Sequence, residues 1–147
     1  MNIRKGQLQD AAQLAELLSQ LDYPATTEFV EGKLRKLLHH PDVYCLVAVD
    51  GSNRVIGFIS LHFIPQLGLE GDFCRISYFC IDQQSRSQRI GKLLEERAVE
   101  VARERRCDRI EVHCHIRRTH AHRFYERQGY VEAPKYLSKK LVSKAAS

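Results

Sequence analysis

Residues 84–92 read QSRSQRIGK, and within them Arg86-Ser87-Gln88-Arg89-Ile90-Gly91-Lys92 gathers three cations around a single glycine at the head of an amphipathic run. The first turn of a helix leaves its amide hydrogens without intrahelical acceptors and carries the positive end of the helix dipole, so it seats anions, phosphates above all. Arg86, Arg89 and Lys92 would add charge-assisted hydrogen bonds to phosphate oxygens. A solvated helix start with a few basic residues would read the same from this segment alone. A second cluster invites a metal reading: His113 and His115 lie two apart on one strand face, with His120 and His122 behind them. No third ligand stands at a characteristic spacing, so they read as polar-face histidines and no metal is expected.

These residues need a frame. A chain of 147 residues, 44% hydrophobic and 28% charged, fits a single domain (1–147) with a core of its own. The five cysteines, Cys45, Cys74, Cys80, Cys107 and Cys114, are odd in number and scattered, mostly in apolar runs, and read as buried free thiols. No apolar run reaches the ~18 residues of a membrane span, and the opening MNIRKGQLQD turns polar at once, so the expectation is a cytoplasmic protein without a membrane partner. The net charge of +5 suits an anionic ligand such as a nucleotide cofactor, and equally nucleic acid. Arg117-Arg118 and the stretch from Arg103 to Arg106 are, however, separated along the chain and lack interleaved aromatics, which argues against a nucleic-acid partner.

The period of the apolar residues sets the order of elements. Residues 10–21 and 27–39 carry Leu14, Leu17, Leu18, Leu21 and then Val30, Leu34, Leu37, Leu38 at helical spacing, with Pro24 and Pro41 at the stops. Residues 43–50 and 54–64 predict a hairpin about the turn DGSN, and residues 73–82 another strand, after a loop with Pro65, Gly68 and Gly71. A long helix follows, with a face of Ile90, Leu93, Leu94, Arg97, Ala98, Val101 and Ala102. RIEVHCHI (109–116) alternates as a half-buried strand reached by crossover, a short helix runs from about Thr119 to Gln128 and ends at Gly129, and YVEAPKYLSKKLV should be extended.

This order, with two motifs, resembles the GNAT superfamily of acetyl-CoA-dependent N-acetyltransferases over nearly the whole chain. The family's phosphate loop is Arg or Gln, two residues, Gly, one residue, Gly or Ala; here Arg86-Ser87-Gln88-Arg89-Ile90-Gly91 keeps the ends and loses the middle glycine. The more specific second motif is Asn, two residues, Ala, two residues, Phe-Tyr, three residues, Gly and an aromatic. It runs here from Arg118, which replaces the Asn, through Ala121, Phe124-Tyr125 and Gly129-Tyr130. Within the superfamily, RIGK and Ala121-His122-Arg123-Phe124-Tyr125 look most like small bacterial enzymes that acetylate small amines, aminoalkylphosphonate N-acetyltransferases among them.

The resemblance implies an α/β (α+β) fold with a central mixed, twisted sheet of about six to seven strands and about four helices. It implies acetyl-CoA as cosubstrate, held by Arg86, Ser87, Gln88, Arg89, Ile90, Gly91 and Lys92, with Arg118 as phosphate-side charge and the backbone of Cys80 and Ile81 along the pantetheine arm. It places Tyr125 beside the coenzyme sulfur as the acid for the leaving thiolate, a role its ordinary pKa of about 10 suits; the lesser alternative is a tyrosine that packs the last helix against the sheet. Cys80 reads as a buried wall, since direct attack needs no acyl-enzyme. Where many relatives carry an acid this chain has Ser77-Tyr78, so the base is open among Glu70, Asp72, Glu111, His113 and His62. Arg89 is sterically allowed if it takes helical dihedrals, since only a positive φ would strongly exclude it, and it then trades closeness to the phosphates for charge. The acceptor site is expected near residues 20–35 and 64–73, for a small amine. A protein N-terminal or lysine acetyltransferase and a coenzyme-binding sensor without chemistry are the alternatives, and a homodimer is compatible with any of them.

Overall fold

A computed structural model of the chain describes residues 1–113, 119–133 and 136–142. Its contacts divide into one unit of Met1–His113 and another of Cys114–Ser147. The first unit is built on a five-stranded sheet in sequential order: β1 (Asn2–Lys5), β2 (Val43–Val49), β3 (Val55–Ile64), β4 (Phe73–Ile81) and β5 (Arg109–Val112). The first four strands pair antiparallel, and β5 joins β4 parallel after a crossover through α3 (Ile90–Glu104). The mixed sheet and the four helices match the expected class, with fewer strands than expected among the described residues.

The first strand was not expected, because Arg4 and Lys5 make the segment look like a polar start. Its charge is used structurally: Arg4 donates to both oxygens of the buried Asp10 at 2.8 and 2.9 Å, and the Gln7 amide donates to the same carboxylate at 2.8 Å. These bonds pin the turn that leads into α1 (Ala11–Gln20). Helix α1 buries Ala11, Leu14, Ala15 and Leu17, and α2 (Val30–Leu37) buries Leu34, so both leucine stripes lie inward as their spacing requires. They pack with Cys45, Val47, Phe58 and Cys80 of the sheet in one core. Helix α3 buries Ile90, Leu94, Ala98, Val101 and Ala102. Its Leu93 is exposed whereas Glu95 is buried, a rotation of the face by less than one residue from the expected one.

In the second unit, α4 (Thr119–Arg127) forms as expected. Residues 131–133 and 136–142 form no strand, contrary to the expected closing strand. A strand needs an edge to pair with, and among the described residues β5 ends at Val112. Arg118, Cys114 and His115 lie outside the described residues. No helix among the described residues is long and apolar enough to cross a membrane.

Candidate active site

The sheet's chemistry starts from an irregularity in β4. Ser60 pairs with Tyr78 but Leu61 pairs with Ile76, so Ser77 is an extra residue without a partner of its own. Such a bulge switches the face on which the following side chains emerge. Before it, Cys74 and Ile76 share a face with Phe63 and Leu61; after it, Tyr78 and Cys80 share a face with Ser60 and Phe58, towards α1 and α2. The bulged Ser77 hydroxyl donates to the Ser60 carbonyl at 3.0 Å and lies 2.9 Å from Nδ1 of His62. A hydroxyl has one hydrogen, and the carbonyl can only accept it, so Nδ1 of His62 must be the donor to Ser77 and Nε2 carries the lone pair. Burial lowers the His62 pKa below its ordinary value, helped by the nearby His40 and Arg75, so the ring is neutral at neutral pH.

The other base candidates are placed differently. Glu111 accepts two bonds from Arg75, through Nε at 2.8 Å and through Nη2, and is held in that charge pair. Glu70 and Asp72 lie beside Arg105 and Arg106 on a separate surface pocket. His113 ends the described part of the crossover, beyond β5. Burial pushes the Cys45 and Cys74 thiols up to about 12, which keeps them protonated and poor nucleophiles. The Cys80 thiol is buried, with Sγ 3.3 Å from the Leu17 carbonyl, as befits a wall.

Pairing between β4 and β5 runs from Phe73↔Arg109 to Ile76↔Val112 and stops there among the described residues, while β4 continues to Ile81. Among the described residues, the last four residues of β4, Tyr78 to Ile81, are thus paired with β3 on one side only. The strand end is fastened by residues with no signature in the sequence. Buried Asp82 accepts from Gln20 Nε2 at 3.0 Å and from Arg54 at 3.4 Å, while Gln20 Oε1 accepts the Gln83 amide at 3.0 Å. From there a 3-10 turn, Gln83–Gln88, which includes the backbone of Ser87, carries the chain to α3. Arg86 Nε donates to the Ile81 carbonyl at 3.3 Å, tying this turn to the end of β4.

Arg89 is the residue on which the expectation fails. It caps α3 with φ 62° and ψ 18°, the left-handed conformation, and not with helical dihedrals. The position keeps the backbone shape of a glycine without the glycine. For a residue with a Cβ this conformation costs about 1–2 kcal/mol. The Arg89→Gly variant should therefore unfold in urea with a stability higher by about 1 kcal/mol, once the greater freedom of glycine in the unfolded chain is set against the relief. An unchanged or lower midpoint would show that the turn holds arginine without strain. The N-cap provides no side-chain hydrogen bond, so the amides at Ile90, Gly91 and Lys92 open α3 without a side-chain cap. Arg86 and Arg89 are exposed beside it, and Lys92 leans along the helix, 3.9 Å from Glu96. An uncapped helix start flanked by exposed cations is an arrangement suited to a phosphate.

In the second unit, the spacing between Tyr125 and Gly129-Tyr130 has a direct physical cause. Gly129 has φ 94°, a conformation that disfavours any side chain. It lets the Gly129 amide reach the Glu126 carbonyl at 3.0 Å and the Tyr130 amide the Tyr125 carbonyl at 2.9 Å, the two bonds of a Schellman helix end. The Tyr130 ring then meets the Tyr125 ring edge-on, with centroids 5.3 Å apart, while Phe124 flanks it at 5.4 Å. Helix stop and aromatic together fix where the phenol points.

One further feature sits on the α1 and α2 side of the sheet. A cavity of about 200 Å³ opens between the two helices and residues Phe58, Ser60 and Tyr78, within residues 5–78. It touches residues 23–38 but none of 64–73, the other segment from which an acceptor site was expected.

Comparison with known proteins agrees with this architecture. The family model described as the acetyltransferase (GNAT) family matches residues 9–130. An aminoalkylphosphonate N-acetyltransferase of Salmonella typhimurium is 35% identical over 123 residues, spanning 83% of this chain and 77% of the relative. Among solved structures, a GNAT family acetyltransferase of Staphylococcus aureus superposes with a TM-score of 0.81 at 22% identity, covering 95% of this chain and 98% of that one. A glucosamine-6-phosphate N-acetyltransferase of Arabidopsis thaliana does so with a TM-score of 0.81 at 20% identity, over 96% and 98% of the two chains. These two likenesses are of fold, while the family model's match, which runs to residue 130, spans the loop and the second motif themselves. With a match to 9–130, the bulged β4, the uncapped start of α3 and the Tyr125 helix end, the chain belongs to the GNAT family of acetyltransferases, acyltransferases that use acetyl-CoA.

Proposed function

We propose that the chain, acting in the cytoplasm as one domain, moves the acetyl group of acetyl-CoA to the primary amine of a small molecule by direct attack. The observation that carries this reading is the Ser77 bulge, which brings Tyr78 to the sheet face where the small cavity opens and holds the neutral His62, on that same face of β3, by its Nδ1. A cavity of about 200 Å³ suits a compact amine better than a peptide, for which an open cleft would be needed. The Salmonella relative, named for aminoalkylphosphonates, points the same way, to a small amine.

The residues divide the work. The backbone from Ser87 to Lys92, with the side chains of Arg86, Arg89 and Lys92, seats the phosphates, and the second motif's likeness assigns Arg118, outside the described residues, to the same task. The end of β4 at Cys80 and Ile81, paired on one side only among the described residues, offers backbone groups to the extended arm. Bound acetyl-CoA supplies a thioester carbonyl carbon, to which the amine nitrogen bonds as the carbon–sulfur bond breaks. As that bond forms the nitrogen becomes acidic, and His62 Nε2 accepts its proton. The Tyr125 hydroxyl gives a proton to the departing sulfur, so the products are an N-acetylamine and a free thiol.

Thiol release, with mass analysis of the amine, across small primary amines, polyamines and short peptides tests the reading. Acetylation of small amines and not of peptides is the expected outcome. Acetylation of peptides alone would move the chain to the protein acetyltransferases. Coenzyme binding by calorimetry with no thiol released from any amine would make it a sensor.

A further inference from the structure

The cavity between α1, α2 and the sheet contains a polar atom without a partner. Thr26 is 7% exposed, and its Oγ1 is a buried side-chain oxygen with no hydrogen bond to any described protein group. Its main chain is by contrast committed, the carbonyl accepting the Phe29 and Val30 amides at 3.0 and 2.8 Å. The linker that places it is held in an unusual shape, with Asp22 and Ala25 both at positive φ, 68° and 61°. Buried hydroxyls in folded proteins are normally paired, so this one marks a place where a ligand group completes the set.

The rest of the lining defines that ligand. Tyr23 and Tyr78 stand edge to face with centroids 5.3 Å apart, and Phe29, Phe58, Leu14 and Leu34 supply further apolar surface. No carboxylate lines the cavity among the described residues; its charged lining residues are Lys5 and Lys33, whose ammonium groups lie over the rings of Tyr44 and Phe29 at 5.1 and 6.0 Å. Two cations and an apolar wall both disfavour the protonated form of a bound amine, which delivers the free lone pair that attack needs. They also disfavour a polyamine, whose second charge would have no counter-ion.

We infer that this cavity is the acceptor pocket and selects a primary amine with a compact aryl-alkyl body and one neutral hydrogen-bonding group, which pairs with Thr26 Oγ1. The inference rests on the acetyltransferase reading above and narrows its substrate class: the two lysines attract the anionic body of an aminoalkylphosphonate, but the apolar wall does not replace its hydration.

The test compares phenethylamine, its para-hydroxy counterpart and aminoethylphosphonate, with wild-type protein and Thr26→Val, a variant of nearly the same shape. Thiol release gives kcat/KM, and ligand-observed NMR gives binding without turnover. The expected result is a preference for the aryl-alkyl amines over the phosphonate of about tenfold or more. A further gain from the hydroxyl is expected, and Thr26→Val should abolish that gain while leaving coenzyme affinity unchanged. A preference for the phosphonate, or a hydroxyl advantage that survives Thr26→Val, overturns the pocket assignment. Thiol release with other amines but no binding of the aryl-alkyl pair overturns it too and leaves the acetyltransferase reading intact. Thr26-dependent binding of the pair without thiol release from any amine keeps the pocket and overturns acetyl transfer.

Discussion

The His62→Asn variant should lose about 10²-fold or more in kcat at the pH optimum, with coenzyme affinity unchanged and thermal stability near that of the parent. Asparagine is the informative replacement because its amide can still donate to Ser77 where Nδ1 does, so the Ser77 to Ser60 bond is kept and only the Nε2 lone pair is removed. Added imidazole should restore part of the rate, an outcome that a merely structural histidine would not produce. The pH dependence gives a second readout. Burial, with His40 and Arg75, lowers the His62 pKa, so the acid limb of kcat/KM in the parent should fall below the ordinary histidine value of about 6.5 and vanish in the variant. The sign for stability follows from the same shift. Between the folded and unfolded values the unfolded chain binds more protons, so the contribution of His62 to stability is present above about 6.5 and is lost as pH falls through the lower folded value. Replacement by asparagine should flatten that part of the stability curve. A variant that keeps full kcat would remove His62 from the chemistry. Glu111→Gln, which would also break the pair with Arg75, would then be the next test.

Which of these residues the sequence reveals depends on whether the information is local. Leucine spacing in α1 and α2, the turn residues between β2 and β3 and the cations before α3 are local, and each element lies where they place it. The helix end at Gly129 is legible for the same reason, since a glycine before an aromatic specifies the two bonds that stop α4. A bulge is not local. Whether Ser77 is an extra residue depends on the register of β3 against β4, and alternation read along FCRISYFCI puts Tyr78 and Cys80 on the same face as Cys74, which the pairing reverses. The Asp82 network is likewise assembled from α1, the start of β3 and the end of β4, so neither Gln20 nor Arg54 could be singled out by spacing. Arg89 fails for a further reason. Arginine at a helix start suggests an ordinary first turn, and only the geometry between the 3-10 turn and α3 demands a left-handed residue there. That position carries a strain the loop can tolerate because the Asp82 network and the Arg86 to Ile81 bond hold the chain on its N-terminal side.

The Tyr125→Phe variant should lower kcat by more than about tenfold while the coenzyme dissociation constant stays within error of the parent. The substitution is informative because it keeps two contacts that orient this side chain, one to its ring and one to its backbone. The edge-on contact with Tyr130 and the bond from the Tyr130 amide to the Tyr125 carbonyl are both indifferent to the hydroxyl. Loss of rate then reports the proton and not the packing. The leaving group supplies the decisive comparison. A thiolate from coenzyme A departs poorly without an acid, whereas an aryl thiolate, whose conjugate acid is much stronger, departs unaided. The defect of Tyr125→Phe should therefore shrink when acetyl-CoA is replaced by an acetyl thioester of an aromatic thiol. Gly129→Ala offers the opposite control: it forces an alanine to φ 94°, loosens the helix end that aims the phenol and should slow both thioesters alike. Equal losses for the two thioesters in Tyr125→Phe would assign the tyrosine to positioning alone, and the proton on the sulfur would then have to come from another donor.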